Sequence, residues 1–453
     1  MPRTRLLWLL LVATMSGGAA DRQLSRIVVS SNHRYLQTVS GEPFFWLADT
    51  GWLLFQKLDR AATERYLDNR RALGFNVIQA MVLHAANDQN AYGAAALNDA
   101  DPARPRVTND DHDYWHHIDW VVDAAAERGI YLAMVPAWGA LAARGTLTAD
   151  NVELYARFLA ERYRARTNIF WLTGGDIRAD RHLEIWTIMG RTLRAADPGH
   201  LISYHPFGRT SSSEWLHAEP WLDFDMFQSG HRTYAQDESD PRSKGEDNWR
   251  YVEEDYSRTP PKPTIDGEPS YEGIPQGLHD TSQPYWSPDD CRRYAYWAVF
   301  AGAFGHTYGN NAVMQMNSPE SAHPSFGPKN YWYEAIADPG AAQMQHLKNL
   351  ILSRPFFERV PAQDLVAGDV GTRYERILAT RGRRYAMFYT YTGRPFEVRM
   401  GQISGSSVKV SWFNPRTGAV TSAATLPNRG VRKFSPPGAP APGNDWVLLL
   451  DGQ

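Results

Sequence analysis

Short apolar runs alternate with segments of helical spacing over residues 44–311, and this alternation constrains the fold more than any other feature of the chain. The runs begin near residues 44, 76, 130, 169, 201, 224, 263 and 305. Between them lie helical signals, such as the segment that Asp59 can cap at its start and Gly74 can end. Eight strands, each followed by a helix within roughly 250 residues, predict an α/β fold of the closed (β/α)8 TIM-barrel type.

The pattern changes after a last predicted helix at residues 341–353. From there on, short alternating stretches are divided by Gly, Pro and Asn, and no helical spacing intervenes. This pattern is typical of a small antiparallel β-sandwich. A chain of 453 residues can hold a large domain and a smaller one. We therefore predict a barrel over residues 21–355 and a C-terminal β-sandwich over residues 356–453.

The first twenty residues have the composition of a secretion signal. Arg3 and Arg5 precede an apolar run over residues 6–15, and small residues follow at 16–20. A signal peptidase requires such small residues, so we predict a cleaved signal peptide over residues 1–20 and a secreted or periplasmic protein. An uncleaved anchor is the alternative, which the shortness of the apolar run disfavours.

Charge and composition exclude several classes of partner. The chain has 50 acidic and 47 basic residues, so it lacks the basic field that would hold nucleic acid or an anionic membrane. It has neither a glycine-rich phosphate loop nor a dinucleotide fingerprint, and we predict no cofactor. Cys291 is the only cysteine, so no internal disulfide can form.

Two of the predicted strands end on a carboxylate. The run at residues 169–173 ends on Gly174, Gly175 and Asp176, and the run near residue 264 ends close to Glu268. Strands of a barrel direct their carboxyl ends into one shared cup, and strands four and seven face each other across it. Two carboxyl groups about 5 to 5.5 Å apart are what a retaining glycosidase uses as acid/base and nucleophile. Asp176 and Glu268 are the predicted catalytic pair; helix capping or a salt bridge is the alternative.

Four stretches in this order resemble the apiosidase-like glycoside hydrolases: residues 45–52 (FWLADTGW), 171–176 (WLTGGD), 266–272 (DGEPSYE) and 412–418 (WFNPRTG). The resemblance covers nearly all of the chain after the signal. It implies a (β/α)8 barrel with a C-terminal β-domain of the collagen-binding type, and a retaining hydrolase with Asp176 as acid/base and Glu268 as nucleophile. Related barrels carry Asn-Glu at the end of strand four, where this chain has Gly-Asp. Since Asp is one methylene shorter, the backbone must carry the acid closer to the substrate.

Other polar and aromatic residues near predicted strand ends are candidate substrate contacts, because hydroxyl-rich ligands bind planar polar groups and aromatic faces. The candidates are Asp49, Trp52, His84, Trp138, His205, Gln228, Tyr271 and Asn310. Packing of each Trp in the core, or a structural hydrogen bond for each His, is the alternative. The loops at residues 85–113 and 230–248 are expected to set the substrate.

A cluster of His112, His116 and His117 with Asp110, Asp111 and Asp113 is a candidate metal site, because His at i and i+4 on a helix can bind zinc. The cluster lacks the Glu of a zincin motif and lies where a helix begins. We predict a capping, solvated role and no metal.

The sequence favours an exported retaining glycoside hydrolase acting on a plant or microbial polysaccharide, with carbohydrate as its partner. Hydrolysis of terminal apiosyl linkages in pectic side chains is a narrower hypothesis that the family name raises. A non-catalytic carbohydrate-binding or adhesion protein on a barrel scaffold is the alternative from another class. A metal-dependent barrel hydrolase is a third, weaker hypothesis.

Overall fold

The computed structural model describes residues 24–237 and 243–453, so the predicted signal peptide at 1–20 lies outside the described residues. Eight parallel barrel strands are present, each close to its predicted start. They are β1 (Trp46–Thr50), β2 (Val77–Met81), β3 (Tyr131–Val135), β4 (Ile169–Gly174), β5 (Ile202–His205), β6 (Asp225–Gln228), β7 (Thr264–Asp266) and β8 (Gly305–Tyr308).

The strands close into a barrel from two arcs. One arc has the order β8-β1-β2-β3-β4-β5, and β6 pairs with β7 in the other. Single backbone hydrogen bonds span the two seams, from Asp223 N to Ile202 O (2.8 Å) and from Phe304 N to Thr264 O (3.1 Å). The predicted (β/α)8 fold is confirmed.

In the part of the chain that the structure describes, seven long helices surround the strands: α1 (Arg60–Ala72), α2 (Tyr114–Glu127), α3 (Ala149–Tyr163), α4 (Leu183–Ala196), α5 (Asn248–Tyr256), α6 (Pro288–Ala301) and α7 (Pro339–Leu352). As predicted, Asp59 caps α1, accepting a hydrogen bond from Ala62 N. Shorter helical turns lie at Leu54–Lys57, Gly139–Ala143, Tyr234–Asp237, Asn311–Met314 and Trp332–Ala335, with 3-10 turns at Ala179–Arg181, Ser212–Glu214, Phe356–Glu358, Gln363–Leu365 and Arg373–Glu375.

The connection from β5 to β6 departs from the predicted regular alternation. All of its residues are described, and among them is no α-helix. A short strand, Thr210–Ser211, instead pairs antiparallel with β6 and runs into a 3-10 turn. Ser211 caps this turn and Ser212 and Ser213 lie in it, and serine hydroxyls compete for the hydrogen bonds that a helix needs. The hydroxyl of Ser211, for example, accepts a hydrogen bond from Ser213 N at 3.2 Å.

Aromatic side chains fill both faces of the barrel wall. The ring of Trp46 packs inside against Phe170 (centroids 4.8 Å apart), Phe224 and Phe304. Trp171 follows Phe170 on β4, so its side chain points the opposite way and packs on Tyr163 of α3. Because parallel barrel strands are covered on both faces, they read as continuous apolar runs.

A three-stranded antiparallel sheet at the N-terminus (Ile27–Val29, Leu36–Thr38 and Pro43–Phe44) precedes the barrel. Its Phe44 packs on Tyr131 and Phe170, near the starts of β3 and β4. This sheet therefore lies at the end of the barrel opposite to the carboxyl ends of the strands.

The C-terminal domain consists of two antiparallel sheets, as predicted. The larger has the order Val360–Pro361, Ile377–Arg381, Tyr385–Thr390, Trp446–Gly452, Ser407–Phe413 and Val420–Pro427; the smaller has Val366–Ala367, Phe396–Arg399 and Val431–Phe434. The domain packs on α6, where Tyr296 stacks on Tyr389 at 4.8 Å. Within the described residues, no helix has the length and apolar character needed to cross a membrane.

Candidate active site

Three consecutive residues at the end of β4 and just after it have positive φ: Gly174 (88°), Gly175 (107°) and Asp176 (51°). A Cβ on Gly175 would lie 2.5 Å from Trp138 Cε3, and one on Gly174 would lie 2.6 Å from His205 O. Both positions therefore require glycine. Asp tolerates the left-handed region better than most residues, at some cost in strain. After these two glycines, Asp176 lines the cavity described below.

Glu268 follows β7 and is held by bonds to its backbone on both sides. Gly230 N donates to Glu268 O (3.1 Å), and the Gln79 amide donates to Gly267 O (2.9 Å). A Cβ on Gly267 would lie 2.4 Å from Met226 Sδ, so the residue before Glu268 must also be small. The Glu268 residue is 8% exposed.

Two histidines face the two oxygens of the Glu268 carboxylate. His231 Nε2 lies 3.0 Å from Oε1. His205 Nε2 lies 3.3 Å from Oε2, in a contact looser than a direct hydrogen bond. Nδ1 of His231 accepts from Tyr271 N, and Nδ1 of His205 accepts from Asp176 N, each at 3.4 Å. With Nδ1 an acceptor, each ring carries a proton on Nε2 and presents it to Glu268.

The environments of the two carboxyl groups push their pKa values apart. Burial alone would raise the pKa of Glu268, but the contacts from His205 and His231 outweigh burial and lower that pKa to about 2. Asp176 reaches water in the cavity, yet protein atoms surround it closely enough that desolvation, joined by the charge of Glu268, raises its pKa to about 6. At mildly acidic pH the site therefore holds one protonated and one ionised carboxyl group, the division of roles that acid/nucleophile pairs show.

A cavity of about 1080 Å³ opens above both carboxyl groups at the carboxyl ends of the strands. Five of the predicted contacts line it, together with the predicted catalytic pair: Trp52, His84, Trp138, Gln228 and Tyr271. The rings of Trp52 and Trp138 lie 5.4 Å apart and form an aromatic wall. A cavity with aromatic walls and a few convergent polar groups is typical of a small-molecule or sugar site.

Both predicted specificity loops contribute to the wall. Residues 87–90 of the first line the cavity, and so do residues 230–232 of the second. Residues 238–242 of the second loop lie outside the described residues. Arg209 and Phe207, after β5, also line the cavity and were not predicted.

The structure corrects three of the predicted substrate contacts. Asp49 is fully buried and faces α1, where it accepts hydrogen bonds from Arg70 Nε and Tyr66 OH at 2.6 Å each. Asn310 caps the short helix Asn311–Met314, accepting from Ala312 N, and donates to Asp338. His205 is fully buried and does not line the cavity; it lies behind the Trp52 and Trp138 rings. Successive side chains of a strand point to opposite faces, and Asp49 lies on the outward face of β1. There it pairs with the buried Arg70 of α1.

The predicted capping role in the histidine cluster is confirmed for Asp113, which accepts from His116 N at the start of α2. The predicted solvation is wrong for His117, which is fully buried beside Tyr92 and has its pKa lowered to about 4, chiefly by desolvation. Within residues 24–237 and 243–453, no group of three or more His, Cys, Asp or Glu side chains could hold a metal ion.

His231 is a further residue of the candidate site that was not predicted from the sequence, and it contacts Glu268 directly. It lies three residues beyond the end of β6, inside a loop that was singled out only as a whole. Its proximity to a strand end is the signal that could have identified it, since side chains at that edge converge on the cavity.

Comparisons with known proteins agree with this geometry. A family model described as "Apiosidase-like, catalytic domain" matches residues 30–358, and one described as "Putative collagen-binding domain of a collagenase" matches residues 360–451. A solved structure described as a glycoside hydrolase is 44% identical, with a TM-score of 0.92, over 95% of this chain and 97% of its own. A glycoside hydrolase family 5 structure from Bacteroides vulgatus ATCC 8482 is 43% identical, with a TM-score of 0.91, over 94% of each chain. A search of curated proteins found no match.

Proposed function

The chain belongs to the apiosidase-like glycoside hydrolases, and from that premise we propose that it is an exported, retaining enzyme that cleaves O-glycosidic bonds of a plant or microbial polysaccharide. The family predicted from the sequence motifs is confirmed. The protein is a glycoside hydrolase, and its substrate is a carbohydrate.

The opposed protonation of Asp176 and Glu268 supports a two-carboxylate glycosidase mechanism; its retaining course is what the resemblance of residues 171–176 and 266–272 to the family implies. Glu268, with its pKa lowered to about 2, is ionised at any ordinary pH and can act as a nucleophile. Asp176, with its pKa raised to about 6, retains a proton that it can donate. They follow β4 and β7, strands on opposite sides of the cup, so a sugar can lie between them.

In the first step, a Glu268 oxygen attacks the anomeric carbon, the bond to the leaving oxygen breaks, and the Asp176 proton moves to that oxygen. The product is a glycosyl ester on Glu268 and an ionised Asp176. Because the ester removes the Glu268 charge, one of the causes of the raised Asp176 pKa disappears at this stage. Asp176 can then take a proton from water as the water oxygen attacks the anomeric carbon and Glu268 leaves.

Cleavage of apiosyl linkages is the specific activity that the description of the family favours, and pectic side chains are the substrate we propose to test for it. The cavity supports a glycan substrate in general terms. Trp52 and Trp138 offer faces on which sugar rings can stack, and Gln228 and His84 offer polar contacts to hydroxyl groups.

Export is proposed from the N-terminal sequence alone, with cleavage after residue 20. N-terminal sequencing of protein recovered from the periplasm or medium should begin at Asp21. An N-terminus at residue 1 in the recovered protein would contradict the proposal.

The activity is tested by incubating the wild type and Glu268→Gln with a panel of polysaccharides and aryl glycosides that includes pectic side chains and apiosides. Sugar released by the wild type alone would identify the substrate. Proton NMR of the first product should show the anomeric configuration of the substrate, and chelator should leave the rate unchanged. Initial release of the opposite anomer would exclude the retaining mechanism.

A further inference from the structure

Glu246 is a fully buried carboxylate at which the barrel, the cavity loop and the C-terminal domain meet. Arg293 of α6 donates to its Oε2 (2.6 Å). Its Oε1 accepts from the hydroxyl of Tyr374 (2.8 Å), which belongs to the C-terminal domain, and from the backbone N–H of Tyr234 (3.2 Å). Tyr234 lies three residues after His231 on the loop that lines the cavity.

The C-terminal domain completes the surroundings of this ion pair. Arg293 is fully buried, and its guanidinium lies over the rings of Tyr374 (4.7 Å) and Tyr391 (5.0 Å). Taking an ion pair out of water is costly, so a buried pair needs further favourable contacts to its charged groups. The faces of these two rings supply cation–π contacts to Arg293 on one side.

The same helix is anchored to the C-terminal domain a second time. Arg292 forms a buried bidentate pair with Asp445, with both distances 2.9 Å. The position of α6 is therefore set by the barrel on one side and by the C-terminal domain on the other.

Helix α6 leads back to the catalytic pair. Trp286, just before the N-cap of α6, donates its indole N–H to His231 O (3.1 Å). Trp286 thus holds the carbonyl of His231, and Glu246 holds the backbone N–H of Tyr234 three residues later. Between these anchors, the His231 ring lies with Nε2 3.0 Å from Glu268 Oε1.

We propose that the C-terminal β-domain is a working part of the active site, and that Tyr374 is a positioning residue which, through Glu246, holds the His231 segment against Glu268. The kinetic consequences of this role for Tyr374 rest on the proposed function. The positioning of the loop by Tyr374 does not depend on that function.

The test is Tyr374→Phe, which removes one hydroxyl and keeps the ring over Arg293. Tyr385→Phe is the matched control, because it also removes a C-terminal-domain hydroxyl, one that donates to Pro355 O and not to Glu246. Hydrogen exchange measured on the full chain should be faster at residues 231–237 in Tyr374→Phe and unchanged in Tyr385→Phe. Equal exchange in the two variants would overturn the proposal, and this measurement needs no substrate.

The kinetic arm uses a 4-nitrophenyl glycoside of the sugar that the wild type releases. Tyr374→Phe should lower kcat/KM by about tenfold, the effect of one hydrogen bond to a charged group, mainly through kcat. In a His231→Ala background the same substitution should have little further effect, because the residue it positions is gone. If the losses of kcat/KM in Tyr374→Phe and His231→Ala are fully additive in the double variant, Tyr374 does not act through His231. If the wild type hydrolyses nothing, the proposed function fails while the exchange result still decides the positioning role.

Discussion

His231 Nε2 donates a hydrogen bond to Glu268 Oε1 at 3.0 Å, while Nδ1 of the same ring accepts from the backbone N–H of Tyr271. The bond joins a loop that follows β6 to the carboxylate that follows β7. The backbone contact fixes the ring as a donor to Glu268, so the carboxylate is held both in place and in its ionised form.

His231→Ala should therefore weaken the nucleophile. Losing one hydrogen bond to a charged group should lower kcat/KM by about 10- to 100-fold. The pKa of Glu268 should rise from about 2, because one of the two groups that lower it is gone. The acid limb of the kcat/KM profile should move to higher pH, and an unchanged limb would show that His231 does not act on Glu268.

Glu268→Gln should abolish turnover and preserve the fold. An amide cannot form the glycosyl ester, so we expect a loss of kcat of about 10⁴-fold or more, with an unchanged circular dichroism spectrum. Glu272→Gln is a control on the same segment, since Glu272 is buried against Tyr308 and lies outside the cavity lining. Comparable losses in both variants would point to a structural defect.

The activity should decline as pH rises through about 6. The pKa of Asp176 is raised to about 6, so its proton-donating form is present below that pH and is lost above it. Asp176→Asn should remove this limb and should hurt most with poor leaving groups, which depend on proton donation. Measurement of kcat/KM against pH for activated and unactivated glycosides tests both points, and equal loss for both substrates would count against Asp176 as the acid.

Gly175→Ala should cost both stability and activity. Its φ is 107°, and the new Cβ would lie 2.5 Å from the Trp138 ring in the cavity wall. Gly129→Ala is the control, because Gly129 also has positive φ (74°) but has no neighbouring atom within 4 Å of a new Cβ. The control should lose about 1–2 kcal/mol of unfolding free energy from backbone strain. If Gly175→Ala loses no more unfolding free energy than Gly129→Ala and turns over normally, the Trp138 ring can move aside without cost.

Asp49→Asn should act on stability and not on substrate binding. It leaves the fully buried Arg70 without its carboxylate, which should cost about 3–5 kcal/mol of unfolding free energy. At a temperature where the variant is folded, KM should stay near the wild-type value. Gln228→Ala, at a position that lines the cavity, should show the reverse pattern of raised KM and little loss of Tm. A raised KM in Asp49→Asn would show that Asp49 takes part in substrate binding.

Local periodicity was enough to predict the architecture. The apolar runs and helical spacing identified all eight strands, and Asp59 was recognisable as a cap from its own neighbourhood. The position of the carboxylates followed as well, because the carboxyl ends of parallel strands in a barrel converge on one cup. Gly174 and Gly175 signalled a close backbone approach, which the positive φ angles and the neighbouring Trp138 ring explain.

The barrel, the second domain and the candidate pair Asp176 and Glu268 could thus be predicted from the sequence, since each depends on patterns within a few residues or on the symmetry of the fold. The polar side chains that support that pair became evident from the three-dimensional packing. It turned Asp49 to Arg70, placed His205 behind the cavity wall, and brought His231 to Glu268 and Tyr374 to Glu246. A buried charge or imidazole forms hydrogen bonds with whichever partner the packing brings within reach. His231 and Glu268 are 37 positions apart, and Tyr374 and Glu246 are 128 apart, so no local sequence pattern predicts these contacts.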